Sequence, residues 1–180
     1  NSKDQLKVLF FGNITIQKGV IYLIEAIEIL RNQERDLSCV LVGNISEEFK
    51  SRFSDKLKTI EIKSFMPQYE LSTYISKFDV AVFPSIQDGF GMVVPQSLVS
   101  GLPVIVSENV GAKDLIENGV NGYIVPVKDA VAIADRLLLL INNRELLNTL
   151  KTNANKFNTD LLSWKTYGHN YIDNLQKCLN

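Results

Sequence analysis

Short β-branched or aromatic runs alternate with longer stretches of helical spacing along most of the chain, and this alternation limits the fold more than any other feature of the sequence. It is typical of parallel strands joined by crossover helices. Several runs are apolar throughout, as expected for strands that helices cover on both faces. The pattern predicts six strands, at residues 8–12, 39–43, 60–65, 80–84, 104–107 and 123–125.

The stretches between and after these strands have the apolar spacing of amphipathic helices. Ile21, Ile24 and Ile27, for example, would share one helix face and pack on the sheet. Ser163 would cap a last helix that runs through Trp164. The other predicted helices are residues 19–32, 47–57, 70–77, 92–100, 113–118, 129–142 and 144–157. The expected fold class is therefore α/β, a doubly wound Rossmann-like parallel sheet of about six strands with helices on both faces.

Length and composition predict the domain organisation. The chain has 180 residues, of which 46% are hydrophobic, and this is enough apolar material for one sizeable core. We therefore expect residues 1–180 to form a single domain, with closing helices at about 128–178. Lys and Arg together number 19 and Asp and Glu number 20, so the overall charge favours neither nucleic acid nor an anionic membrane as a partner.

The cysteines and the apolar runs predict the cellular compartment of the protein. Cys39 and Cys178 are too few to indicate a disulfide framework or a metal site. The longest unbroken apolar runs, such as residues 137–141, are far shorter than the roughly 20 residues that span a bilayer. The polar start of the chain does not resemble a signal peptide. We therefore expect a cytoplasmic protein.

Two glycines, Gly89 and Gly91, follow the fourth predicted strand and stand just before a predicted helix. In a doubly wound sheet the ligand lies beyond the carboxyl ends of the strands, where this loop begins. Glycine lets the backbone approach a ligand closely, and the N–H groups of a first helical turn can bind a phosphate. The loop therefore indicates a phosphate site, although a plain strand-to-helix turn explains the two glycines equally well.

The same loop differs from two common nucleotide motifs. Its sequence, Gly-Phe-Gly-Met-Val-Val, lacks the third glycine of a dinucleotide fingerprint and follows the fourth strand instead of the first. The chain also contains no Gly-x-x-x-x-Gly-Lys-Ser/Thr loop. A nicotinamide cofactor and kinase-like chemistry are therefore disfavoured.

Residues 88–107, Asp-Gly-Phe-Gly-Met-Val-Val-Pro-Gln-Ser-Leu-Val-Ser-Gly-Leu-Pro-Val-Ile-Val-Ser, resemble the signature of the large retaining glycosyltransferase family 4, which has the two-domain GT-B architecture. Further segments resemble this family in the same order, at residues 11–19, 66–71, 78–80 and 111–125. The chain resembles only the C-terminal half of such an enzyme, the half that binds the sugar donor.

The resemblance implies an activity and its partners. The expected activity is retaining transfer of a sugar from a UDP- or GDP-linked donor to an acceptor, such as a glycan or a lipid-linked saccharide in polysaccharide biosynthesis. No cofactor and no obligatory metal are expected. An N-terminal acceptor domain would be the missing partner, and this chain alone would be inactive without it. Any peripheral contact with the inner membrane face would come from that domain.

The resemblance also implies the site residues. Lys18 would neutralise the leaving diphosphate, and Asp88 would bind sugar hydroxyls or stabilise positive charge near the reacting carbon, so both would be catalytic. The backbone of Gly89 to Gly91 would meet the phosphates and the transferred sugar. No metal ligand is expected. The full donor-binding set is Gly12, Asn13, Lys18, Met66, Pro67, Asp88, Gly89, Phe90, Gly91, Met92, Val93 and Gln96.

Three residues depart from the family's pattern. Asp88 and Gln96 stand where the family has glutamates, and Asn13 stands where it usually has an arginine. Aspartate keeps the charge with a shorter reach, whereas glutamine replaces a carboxylate that grips the ribose. Asparagine provides neither the charge nor the bidentate fork of a guanidinium. These departures predict weaker donor binding and slower catalysis, and they favour an unusual donor or a loss of activity.

Two alternatives therefore stay open. One is a non-catalytic nucleotide-sugar-binding or interaction module of the same fold, and the other is a GT-B epimerase. An epimerase needs a histidine and carboxylate set, whereas the single histidine, His169, lies far along the chain from the signature. Asp114 is explained more simply as a helix cap than as a sugar ligand.

Overall fold

Parallel strands form the centre of the fold in a computed structural model that describes residues 5–158. The strands are β1 (Leu6–Phe11), β2 (Leu37–Val42), β3 (Glu61–Lys63), β4 (Val80–Phe83), β5 (Val104–Ser107) and β6 (Gly122–Val125). The helices are α1 (Val20–Asn32), α2 (Glu47–Leu57), α3 (Gln68–Ile75), α4 (Val93–Val99), α5 (Ala130–Asn142) and α6 (Arg144–Ala154), with a 3₁₀ helix at Gly111–Leu115.

The strand order is β3-β2-β1-β4-β5-β6, and every pair is parallel. The chain moves outward from β1 to β3, and α3 then returns it to β4 beside β1. The direction of winding therefore reverses between β1 and β4, which is where ligands bind in doubly wound folds. The loops that follow these two strands meet at this edge of the sheet. The predicted doubly wound fold class is confirmed.

Three aromatic rings lie beneath this edge of the sheet. Phe10, Phe11 and Phe83 are buried at the ends of β1 and β4. The rings of Phe11 and Phe83 meet edge to face, with centroids 5.2 Å apart. Large rings in such contacts pack rigidly and resist rearrangement. They give the two loops a firm base.

The six predicted strands are all present, but several end earlier than predicted. Gly12, Gly43 and Pro84, predicted as strand ends, lie just beyond β1, β2 and β4. The third predicted strand, residues 60–65, is shorter in the structure, where it is β3. This strand lies at the edge of the sheet and pairs only with Val40–Val42 of β2. Most predicted helices are present with ends shifted by a few residues.

The prediction of a helix at residues 113–118 is wrong, because a short 3₁₀ helix ends there at Leu115. Two asparagine side chains bond the backbone in place of a continuing helix. Asn121 accepts from the Glu117 N–H and donates to the Leu115 carbonyl, and Asn118 accepts from the Ile124 N–H. Side chains of this type compete with helical hydrogen bonds and favour turns. The predicted helix after Ser163 lies outside the described residues.

Candidate functional site

Two adjoining cavities open at the carboxyl ends of the central strands. The β1–β4 cavity, about 240 Å³, is lined by the end of β1, by Lys18, and by the loop and helix start that follow β4. The β2–β3 cavity, about 330 Å³, is lined by the ends of β1 and β2, by residues after β3, and by α4. Phe11, Gly12, Asn13 and Val93 line both. The two cavities therefore form one crevice of the size that small ligands occupy.

The crevice brings together most of the predicted site residues. The predicted residues that line the β1–β4 cavity are Gly12, Asn13, Lys18, Asp88, Gly91, Met92 and Val93. Met66 and Gln96 line the β2–β3 cavity. Pro67, Gly89 and Phe90 line neither cavity, although each is next in sequence to a residue that does.

The central feature of the β1–β4 cavity is an ion pair between Lys18 and Asp88. The Lys18 Nζ donates to Asp88 Oδ2 at 2.5 Å, although the residues are far apart in the sequence. The Asp88 side chain is 13% exposed and that of Lys18 is 32% exposed, so water screens the pair only in part. Both catalytic candidates therefore meet at one point of the cavity.

Gly19 allows Lys18 to come this close to the loop after β4. It has a positive φ of 63°, and a Cβ atom there would lie 1.9 Å from the carbonyl oxygen of Pro84. Only glycine fits such an approach without moving a backbone. The start of α1 therefore lies directly against the end of β4, and Lys18 points across to Asp88.

The loop after β4, residues 84–92, has backbone N–H groups without a protein acceptor in the described part of the chain, and Gly91 and Met92 of this loop line the β1–β4 cavity. Among the described residues, no protein acceptor takes a hydrogen bond from the N–H groups of residues 89–93. Gly91 has a φ of 81°, and a Cβ atom there would lie 2.8 Å from Val110 Cγ1 and 3.5 Å from Asp88 Oδ2. The loop therefore combines free N–H groups with a close approach to Asp88. Such groups are suited to the oxygens of an anion.

The β2–β3 cavity has a different chemistry. Phe65 and Met66 contribute apolar surface, and the Phe65 side chain is 67% exposed. Gln96 Nε2 lies 3.5 Å from Gln68 Oε1, so two amide groups stand beside each other at the cavity wall. Apolar surface with a few amide groups is suited to a planar polar ring and its hydroxyl-bearing sugar.

The crevice contains little net charge. In the part of the chain that the structure describes, Lys18 and Asp88 are the only charged residues that line either cavity. Because they pair with each other, an anion competes with Asp88 for Lys18 or binds mainly through backbone N–H groups. Asn13, exposed at the junction of the two cavities, adds an amide but no charge.

Two other groups of interest lie outside the crevice. Cys39 is buried in the core, and this burial raises the pKa of its thiol to about 12, although the positive charge of Arg31 acts in the opposite direction. Cys39 is therefore protonated and unreactive at neutral pH. Within residues 5–158, no cluster of three or more His, Cys, Asp or Glu side chains could hold a metal ion. Asp114 is exposed in the 3₁₀ helix and lines neither cavity.

Sequence reasoning missed several residues that shape the site. Ser107 Oγ donates to the buried Ser85 carbonyl at 2.5 Å, and Gln17 and Asn109 bond the loop after β4 from its two sides. Gln68 reaches Gln96 from α3. Apart from Asn109 these residues lie in segments that resemble the family, but no local pattern reports their contacts, because each partner is 22 or more residues away along the chain.

Residues 1–157 match the sequence model of the family described as glycosyl transferases group 1. This chain belongs to that family. The match includes both loops of the crevice, so Lys18, Asp88 and Gly91 lie within the family's own segment.

Named relatives of this group 1 glycosyltransferase chain include two bacterial proteins. The amylovoran biosynthesis glycosyltransferase AmsK of Erwinia amylovora is 30% identical over 145 residues, which are 75% of this chain and 36% of AmsK. The capsular polysaccharide biosynthesis glycosyltransferase CapM of Staphylococcus aureus is 29% identical over 167 residues, 88% of this chain and 44% of CapM. The chain thus spans less than half the length of these two relatives.

Solved structures show the same fold at low identity. The C-terminal domain of LpcC, a group 1 glycosyl transferase from Francisella tularensis, has a TM-score of 0.75 and 24% identity, and the match covers 89% of this chain and 87% of that domain. Anabaena HepE in complex with UDP has a TM-score of 0.79 and 19% identity, covering 97% of this chain and 49% of HepE. The predicted resemblance to the C-terminal half of a GT-B glycosyltransferase is confirmed.

Among residues 5–158 no helix has the length and apolar character that a membrane-spanning segment requires.

Proposed function

We propose that this chain is the donor-binding part of a retaining glycosyltransferase and holds a nucleoside diphosphate sugar in the crevice. The observation that carries the proposal is the meeting of Lys18, Asp88 and the free N–H groups of residues 91–93 at one cavity, next to a second cavity with apolar and amide groups. Solved HepE complexes with UDP and with UDP-glucose, which share the fold, support a donor of this class.

The diphosphate would lie in the β1–β4 cavity. As the bond between the sugar and the diphosphate breaks, negative charge grows on the leaving oxygen. Lys18 and the N–H groups of residues 91–93 would stabilise that charge by charge-assisted hydrogen bonds. We therefore propose that this chain supplies the positive field itself, without an obligatory metal ion.

Asp88 would change partners when the donor binds. In the free protein its carboxylate holds the Lys18 ammonium. A diphosphate that takes over Lys18 would leave the carboxylate beside the transferred sugar, where it can accept a hydrogen bond from a sugar hydroxyl or stabilise positive charge at the reacting carbon. This exchange is the proposed link between donor binding and catalysis with retention of configuration.

The nucleoside would lie in the β2–β3 cavity. Met66 and Phe65 offer apolar surface to the base, and Gln96 offers an amide to the ribose hydroxyls. A neutral amide grips a diol less strongly than a carboxylate does, because it offers one acceptor atom instead of two. The proposal therefore includes moderate nucleotide affinity.

The acceptor side is also a proposal. AmsK and CapM are named for the biosynthesis of amylovoran and capsular polysaccharide. We propose a glycan or lipid-linked saccharide as the acceptor, bound by an N-terminal domain, with sugar transfer requiring both domains. One observation favours the alternative of a non-catalytic interaction module. Lys18 and Asp88 neutralise each other, so the crevice, within the described residues, has no net charge to attract a diphosphate.

Calorimetric titration with UDP, GDP and their sugar conjugates tests the proposal. We expect saturable binding of one nucleotide, and Lys18→Met should weaken it at least about tenfold, the typical effect of losing a charge-assisted bond. Lys50→Met is the matched control, because Lys50 is exposed on α2 away from the crevice. Failure of every nucleotide to bind, or equal weakening by both substitutions, would contradict the proposal.

A further inference from the structure

The loop that carries Asp88 is held from one side by the residue that precedes Lys18. The Ile86 N–H donates to the Gln17 carbonyl at 2.8 Å, and Gln17 Nε2 donates to the Gln87 carbonyl at 3.2 Å. Gln17 therefore bonds the loop through both its backbone and its side chain. Its sequence neighbour, Lys18, is placed by the same contacts.

Asn109 holds the loop from the other side. Its Nδ2 donates to the Ile86 carbonyl at 2.9 Å, and its own carbonyl accepts from the Asp88 N–H at 3.1 Å. The Gly111 N–H then donates to the Asp88 carbonyl at 3.2 Å. Asp88 thus has both backbone groups bound by the turn after β5.

These contacts place Ile86 at the centre of the arrangement. Its N–H is bound by Gln17 and its carbonyl by the side chain of Asn109. Movement of the loop away from either side breaks one of these bonds. The distance between Lys18 and Asp88 therefore depends on a residue that forms no hydrogen bond with either of their side chains.

We propose that Asn109 is a positioning residue of the donor site, which acts through the Ile86 carbonyl to keep Asp88 within reach of Lys18. The proposal rests on the proposed function, because it assigns Asn109 to the site that would bind the donor. Asn109 lines neither cavity of the crevice, so it acts through the loop and does not touch the donor itself.

The turn that carries Asn109 has its own supports. Ser107 Oγ donates to the Ser85 carbonyl at 2.5 Å, and the Val110 N–H donates to the Ser107 carbonyl at 3.2 Å. The Asn109 side chain is exposed and packs in no core. Loss of its amide should therefore free the loop and leave the turn and the fold in place.

The first test needs no ligand. Amide hydrogen exchange, measured by NMR, should show the Ile86 and Asp88 N–H groups exchanging on the order of threefold to tenfold faster in Asn109→Leu, the effect of one lost hydrogen bond on local opening. Asn109→Asp, which is nearly identical in size but cannot donate when ionised, should behave like the leucine variant. Asn148→Leu is the control, since Asn148 is exposed on α6.

The second test is UDP affinity in the same variants by calorimetry. Asn109→Leu should bind UDP on the order of threefold to tenfold more weakly than the parent, and Asn148→Leu should match the parent. Unchanged loop exchange in Asn109→Leu, or unchanged UDP affinity despite faster exchange, would overturn the positioning role. If the parent binds no nucleotide while the loop still loosens in Asn109→Leu, the proposed function fails, and the assignment of Asn109 to a donor site fails with it. Failure of the proposed function is thereby distinguished from failure of the positioning role.

Discussion

Lys18 and Asp88 neutralise each other in the wall of the β1–β4 cavity, with Nζ and Oδ2 2.5 Å apart. They are the only charged residues that line the crevice within residues 5–158. The residue proposed to bind a diphosphate therefore already has an anionic partner in the free protein. Nucleotide binding is favoured when Lys18 is free of Asp88, whereas the proposed sugar transfer requires the Asp88 carboxylate. A substitution at Asp88 should therefore change nucleotide affinity and transfer rate in opposite directions.

Replacing Asp88 with asparagine should strengthen nucleotide binding and weaken transfer. Asp88→Asn frees Lys18 and removes a repulsive charge next to the diphosphate, so UDP affinity should rise about threefold to tenfold at low salt. Calorimetry at two salt concentrations measures the gain, which should shrink as salt increases. Asp55→Asn is the control, because Asp55 forms an exposed ion pair with Lys58 on α2. Weaker UDP binding by Asp88→Asn would contradict competition between the carboxylate and the donor.

The same substitution should slow sugar transfer in an enzyme that carries both domains. A neutral amide can accept from a sugar hydroxyl but cannot stabilise positive charge at the reacting carbon. We expect kcat to fall by about a hundredfold or more, within the usual range for a lost electrostatic contribution. An unchanged kcat would remove Asp88 from the catalytic step.

Introducing a cation at residue 13 should strengthen diphosphate binding. Asn13 is exposed and lines both cavities, so Asn13→Arg adds a guanidinium without burying it. A unit charge at about 4 Å contributes roughly 1–4 kcal/mol between water and a protein surface. We expect UDP affinity to rise about tenfold in calorimetry, while Asn148→Arg on α6 leaves it unchanged. Equal affinity in both variants would place the diphosphate away from Asn13.

Gly19 should be far less tolerant of a methyl group than Gly89. Gly19→Ala forces a residue with positive φ against the Pro84 carbonyl oxygen, which a Cβ atom would approach to 1.9 Å. We expect the free energy of unfolding to fall by about 2–4 kcal/mol in urea denaturation. A Cβ at Gly89 meets nothing within 4 Å, so Gly89→Ala should change stability by less than about 0.5 kcal/mol. A similar loss of unfolding free energy in both variants would mean that the position of α1 does not depend on the close approach of Gly19 to Pro84.

Cys39 should make stability fall at alkaline pH. Burial raises its pKa in the folded state to about 12 from an ordinary value of 9.0. Below pH 9 both states keep the proton, whereas between pH 9 and about 12 only the unfolded state loses it. The free energy of unfolding should therefore decrease by up to about 1.4 kcal/mol for each pH unit in that range.

Cys39→Ala provides the comparison for this pH effect. Urea denaturation of the parent and the variant at pH 8 and pH 10.5 subtracts the contributions of other titrating groups. The difference in unfolding free energy between the two proteins should shrink as the pH rises. A constant difference would show that the thiol titrates alike in the folded and unfolded states.

Much of the fold follows from local patterns in the sequence. The continuous apolar run Val80–Phe83 predicts a strand covered on both faces, and all four of its residues are buried. The spacing of Ile21, Ile24 and Ile27 predicts the buried face of α1, and these residues are buried. Periods of two and 3.6 residues are local properties, so a single sequence reports them directly.

The helix predicted at residues 113–118 is absent because an asparagine side chain competes for its backbone hydrogen bonds. Apolar spacing favoured a helix there, but the Asn121 side chain bonds the Glu117 N–H and the Leu115 carbonyl, which a longer helix would have used. The spacing of apolar residues does not report which backbone groups a side chain will take. The chain therefore turns into β6 after one short 3₁₀ helix.

The sequence by itself determined the strands, most of the helices, and the glycine and lysine pattern that identifies the family. Tertiary structure alone decided that Lys18 pairs with Asp88 and that Asn109 reaches Ile86. These contacts depend on β1, β4 and β5 lying side by side with a particular register, and on glycines that let loops approach within contact distance. Residue types and their spacing along the chain do not specify distances between loops, because those distances arise only when the whole sheet has closed around its core.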